Sequence, residues 1–149
     1  MVRERCAPVV DEGGDLSCSL VELTVDELAV LEVNGAFYEA FEAGDMDAMS
    51  ALWEHSDRVL CTHPGWASLR GWAAVSGSWF ALFRNGQTMQ FIVTNERPAM
   101  FGELAWVSCD ENILGGNASG TVAALNVFAR IGHRWLMVAH HGSPVVQSG

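Results

Sequence analysis

Apolar residues recur at steps of three and four between Thr24 and Ala43, where Val30, Val33, Phe37, Ala40 and Phe41 form one stripe that predicts an amphipathic helix. Both of its ends carry signals. Thr24-Val-Asp-Glu27 has the form of a capping box, in which the threonine hydroxyl and the glutamate carboxylate satisfy N–H groups that the first turn leaves free, and Gly44 suits a left-handed cap. Asp45 then caps a second, shorter helix with Met46, Met49, Leu52 and Trp53 on one face. From Arg58 to His63 the period falls to two, with Val59, Cys61 and His63 on one side of a strand and Leu60 and Thr62 on the other. A third helix from Gly71 to Phe83 carries Trp72, Val75, Trp79 and Leu82 on one stripe and stops at Asn85-Gly86.

Beyond Gly86 the pattern is that of strands. Residues 88–97, 103–114, 121–131 and 133–142 are rich in Val, Ile, Phe, Trp and Thr, and are punctuated by Pro98, Gly102, Gly115-Gly116, Gly120 and Gly132. Each neighbouring pair is expected to form an antiparallel hairpin. Helices first and a meander afterwards predict an α+β domain whose helices cover one face of a strongly curved sheet. Residues 1–22 show neither period and read as a loosely ordered tail, which leaves 23–149 as a single domain.

Composition narrows the partners. Eight arginines, no lysine and a formal net charge of −10 leave no basic patch for nucleic acid or an anionic membrane. Six Trp and seven Phe among only 17% charged residues can fill a core or line a cavity. The chain has no apolar run long enough to span a bilayer and no basic start followed by an apolar core, so a cytoplasmic protein is expected. Cys6, Cys18, Cys61 and Cys109 make no CxxC pair, which favours reduced thiols over a zinc site or a disulfide framework. Asn117-Ala-Ser119 reads as a polar loop.

The segment with chemistry in it is Cys61-Thr-His-Pro-Gly-Trp66, where a Pro-Gly turn holds a histidine at the end of a short strand beside a tryptophan. Two roles suit His63: a general base or ligand contact at the rim of an apolar pocket, or a side chain that closes the turn by hydrogen bonding. Together with Phe37 to Met49, Gly71-Trp72 and the run from Arg134-Trp135 to Ser143, this segment resembles the SnoaL-like branch of the nuclear transport factor 2-like superfamily. The resemblance covers about residues 24–145. It implies a cone-shaped fold, three helices packed on a strongly curved antiparallel sheet, with a ligand cavity inside and a homodimer formed through the outer face of the sheet.

Ketosteroid isomerases and polyketide cyclases are among the relatives. Carried over from the isomerases, His63 before Pro64 takes the place of the carboxylate base, Phe37 that of a tyrosine donor, and Asn126 that of an oxyanion-holding aspartate. Tyr38 is expected to point off the Phe37 face, and the last strand to send Met137, Ala139 and His141 inward and His140 outward. The implied activity is cofactor-independent proton abstraction next to a carbonyl of an apolar, polyketide-like metabolite, giving isomerisation or ring closure. His63 would be the base, Asn126 and His141 would hold the oxyanion, and Phe37, Trp53, Trp66, Trp79, Phe128 and Met137 would shape the cavity. The alternative is a non-catalytic protein that shelters the metabolite in the same pocket.

Two points stay open at this level. Asn126, in the apolar run Ala123 to Phe128, must satisfy its amide either on a ligand or on a neighbouring side chain. The strand 103–114 presents either Ser108 and Asp110 or Cys109 and Glu111 to the concave face. No metal centre is expected, since His63 and His141 would still need a third ligand from Asp110 or Cys61.

Overall fold

The computed structural model describes residues 4–86, 89–115 and 120–146; Asn117 to Ser119 lie outside them. Where the sequence reads as a loose tail, the chain instead pairs β1 (Glu4–Val10) with β2 (Leu16–Glu22) in an antiparallel hairpin. β2 does alternate, with Leu16, Cys18 and Leu20 at every second position, but these side chains stay exposed because the hairpin forms a two-stranded sheet of its own and has almost no core to cover. Cys6 and Cys18, expected to be thiols, are joined across it by a disulfide, with Cα atoms 5.4 Å apart. Their separation along the chain gives no hint of this until the hairpin brings them within bridging distance. Arg5 Nε lies 2.6 Å from Glu27 Oε1 and ties the hairpin to the start of the first helix.

That helix, α1 (Val25–Ala43), has the predicted ends: Thr24 accepts the Glu27 N–H at 3.1 Å, Glu27 accepts the Thr24 N–H at 2.8 Å, and Gly44 closes it at φ 61°. α2 (Met46–Leu52) follows its Asp45 cap. Then come β3 (Leu60–Thr62), β4 (Leu69–Arg70), α3 (Trp72–Arg84), β5 (Gln90–Phe101), β6 (Leu104–Leu114), β7 (Gly120–Ile131) and β8 (Arg134–Pro144). The six-stranded sheet runs β4-β3-β8-β7-β6-β5. Four long strands meander antiparallel as predicted, whereas β3 lies parallel to β8. No hairpin joins that pair, so nothing in the connection forces them to oppose. β5 continues through Pro98, which an edge strand tolerates because the missing N–H has no neighbour to reach on the open side.

α1 lies in the hollow of the sheet, against β5, β6 and β8. The sheet covers a wide arc of the helix, so a second stripe of Leu31, Asn34 and Tyr38 is buried beside Val30, Phe37 and Ala40. Tyr38 therefore points inward, against expectation. Among the described residues no helix is long and apolar enough to cross a membrane.

Candidate functional site

His63, Pro64, Gly65 and Trp66 form a tight turn in which the Trp66 N–H donates to the His63 carbonyl at 2.9 Å and Gly65 takes φ 81°, the left-handed position that a type II turn reserves for glycine. The turn rests on β8. A Cβ added to Gly142 would stand 3.0 Å from Pro64 Cγ and 3.1 Å from Val122 Cγ1, so this glycine permits the close approach that seats Pro64.

His63 itself is buried, with Nε2 2.9 Å from Ser78 Oγ. The single hydroxyl proton of Ser78 goes to the Val75 carbonyl at 2.7 Å. Ser78 must then accept from the ring, which places the His63 proton on Nε2 and the lone pair on Nδ1. Burial pulls the imidazole down to about 4, so it is neutral near pH 7. The rings of Trp66 and Trp79 meet it edge to face at 4.8 and 4.7 Å.

A cavity of about 530 Å³ opens beside this ring, lined among others by His63, Trp66, Phe41, Phe83, Met89 and Ile113. Of the residues expected to shape a pocket, Trp66 lines it. Phe37, Trp53, Trp79, Phe128 and Met137 are instead fully buried in the core between α1, α3 and the sheet, because their large rings and chains fill the hollow that the family comparison left for a ligand. His141 is also misplaced by the sequence reading. Register slips between Val127–Ala139 and Phe128–Met137, so Val138 is an extra residue on β8. Alternation shifts by one at this bulge: Trp135 and Met137 face inward before it, His140 after it, and His141 is exposed.

Behind His63 runs a connected set of buried polar groups. His140, with its ring centre 6.4 Å from that of His63, places Nδ1 2.6 Å from Asn126 Oδ1. Asn126 spends its amide hydrogens on Asn34 Oδ1 at 2.8 Å and the Tyr38 oxygen at 3.2 Å. Tyr38 in turn donates to Glu111 Oε2 at 2.5 Å, and Asn34 reaches Glu96 at 3.1 Å. Because the amide oxygen of Asn126 can only accept, His140 donates from Nδ1. Burial, then the neighbouring His63 and His141, pull His140 down to about 3. Burial pushes Glu111 up to about 7, against the lowering effect of the Tyr38 hydrogen bond. Tyr38 is raised by burial and then by Glu111, and burial pushes the Cys61 and Cys109 thiols up to about 12 and about 11, so both stay protonated.

The open choice on β6 is thus settled: Cys109 and Glu111 face the helix, while Asp110 lies on the outer face and accepts from Asn95 Nδ2 at 2.7 Å. Sequence reasoning overlooked Asn34, turned Tyr38 and His140 outward, and left Glu111 with Cys109 as one of two choices. The available signal was two polar residues one helical turn apart, Asn34 and Tyr38, in an otherwise apolar helix segment.

The helix-helix-strand-helix order, the four-strand meander and the position of the His63 turn agree with one family, and residues 30–147 match the SnoaL-like domain. The chain belongs to the SnoaL-like family. A crystal structure named as a candidate dehydratase of the nuclear transport factor 2-like family, from Streptomyces avermitilis, is 37% identical to this SnoaL-like chain with a TM-score of 0.76, over 82% of it and 97% of that protein. A protein of Thiobacillus denitrificans, named as a candidate calcium/calmodulin-dependent protein kinase type II association domain, is 33% identical with a TM-score of 0.71, over 76% and 93% of the two chains. F-box protein SKIP8 of Arabidopsis thaliana is 33% identical over 117 residues, 77% of this chain and 49% of that one. The SnoaL-like chain therefore spans about half the length of this curated relative.

Proposed function

We propose that this chain binds a small, mostly apolar molecule in the cavity beside His63. The observation that carries the reading is a space of about 530 Å³ walled by aromatic and aliphatic side chains, with a buried, neutral imidazole on its lining. Such a site suits a lipophilic, oxygen-bearing ligand of the polyketide-like kind.

A finer reading follows from the tautomer of His63. With Nε2 donating to Ser78, Nδ1 is the free acceptor of the ring and is open to a proton from a carbon next to a carbonyl, but a value of about 4 makes this imidazole a weaker base than a free histidine and counts against that step. That step would serve an isomerase or cyclase without a cofactor; it would equally begin the loss of water that the name of the Streptomyces relative suggests. The oxyanion donors named from the sequence do not support it: Asn126 has both amide hydrogens engaged and His141 faces outward. This favours the sheltering of a metabolite as the second reading. Replacing His63 by Gln separates the two: an enzyme loses turnover by roughly a hundredfold or more while still binding ligand, whereas a carrier loses affinity alone.

We also propose a homodimer through the outer face of the sheet, where Phe101, Leu104, Trp106, Leu125 and Ile131 are exposed.

A further inference from the structure

The walls of the cavity are negative for three separate reasons. Glu42 stands on the lining, and its Oε1 accepts the Phe91 N–H at 2.7 Å, which fixes the carboxylate there and leaves its second oxygen as an acceptor. Two helices end on the cavity: Ala43 and Gly44 close the 19-residue α1, and Asn85 and Gly86 follow the 13-residue α3, so the partly negative carbonyl ends of both abut the same space. Finally, none of the described lining residues is an arginine. Arg84, in the last turn of α3, lies with its guanidinium 5.5 Å from the Phe80 ring centre and is not part of the lining. Phe41, Phe83 and Trp66 on the lining add aromatic rings, whose faces draw cations.

We infer that the cavity takes an apolar molecule bearing a protonated amine, its ammonium group held by Glu42 and the two helix ends and its body among the aromatic rings. The inference rests on the binding reading above and names its ligand class. A carboxylate or phosphate on the same body meets the same walls as repulsion, and the net charge of −10 on the chain works in the same direction at longer range.

Three probes with one body and different heads test this: naphthylethylamine, naphthylethanol and naphthylacetate, titrated into the full chain by calorimetry at neutral pH and low salt. The expected order is amine tighter than alcohol by about tenfold, with the acid weakest. Glu42→Gln, an exposed position whose change leaves the core intact, should reduce the advantage of the amine to about threefold or less and leave the alcohol unchanged. An amine bound no tighter than the alcohol, or an acid bound tightest, overturns the charge inference while the binding reading stands. If none of the three binds, the binding reading falls, and this inference with it.

Discussion

Each face of the six-stranded sheet departs from the usual division, with polar groups set among Val107, Phe128 and Met137 inside and large apolar groups standing in water outside. The inner face, sealed under α1, holds Asn126, His140, Glu111 and Cys109, whereas the outer face shows Phe101, Leu104, Trp106, Leu125 and Ile131 to solvent. Polar groups out of water are tolerated only when each finds a partner, and the inner set does so through a continuous run of hydrogen bonds from His140 to Glu111 and Glu96. Such a run fixes one arrangement of helix against sheet. Apolar groups in water make no comparable demand on their neighbours, and they carry the homodimer proposed above.

The contrast is most exposed to attack at Asn126. Asn126→Ala strips partners from His140, Asn34 and Tyr38 at once, so denaturant unfolding should show a loss of about 4 kcal/mol, at 1 to 3 kcal/mol for each stranded group. A loss under about 1 kcal/mol would mean that the inner chain does not hold the fold.

Next in size is the pH dependence. Glu111 is raised from 4.5 to about 7 in the folded state, so across that window the native chain keeps a proton the unfolded chain has released, and the contribution of Glu111 to stability falls as pH rises. His63 and His140 are lowered from 6.5 to about 4 and about 3, so their contribution is whole above 6.5 and is lost as pH falls. Two histidines outweigh one carboxylate in the acid range, and the wild-type chain should be most stable near pH 6.5. Relative to wild type, Glu111→Gln should gain about 3 kcal/mol between pH 4.5 and pH 7.5. Parallel stability curves for the two proteins would remove the buried carboxylate from the account.

On the outer face the expected effect on the monomer is smaller. Leu125→Glu should change stability by about 1 kcal/mol or less while abolishing the dimer in sedimentation, and a wild-type chain that sediments only as a monomer would leave the apolar face unexplained. Smallest of all is the reduction of Cys6–Cys18. The hairpin belongs to neither face, so the unfolding of the main domain should move by about 0.5 kcal/mol or less, with faster amide exchange confined to Glu4–Glu22.

What could be read in advance divides along the same lines. α1 was legible at both ends because Thr24, Glu27 and Gly44 act on their own backbone, and the His63 turn was legible because Pro64 and Gly65 impose its shape locally. The inner residues were not, since their burial depends on partners far along the chain: Asn126 meets Asn34 across 92 positions, and Tyr38 meets Glu111 across 73. Cys109 and Asp110 sit side by side in a strand whose two faces both carry apolar residues, so alternation alone does not say which is inside. The hairpin was overlooked although Leu16, Cys18 and Leu20 alternate with serines, a short signal whose side chains cover so little that they stay exposed.

The extra residue at Val138 bears on how this chain is compared with others. It brings His140 opposite Cys61 in the parallel pair of β8 and β3, so that two inward side chains share a column. A relative whose last strand is evenly pleated runs out of phase with this one beyond Val138. Matching the two letter for letter sets His141 against an interior position and assigns its exposed imidazole the history of a buried residue. A single gap at the bulge restores the phase, and makes His140 the position whose variation should track that of Asn126.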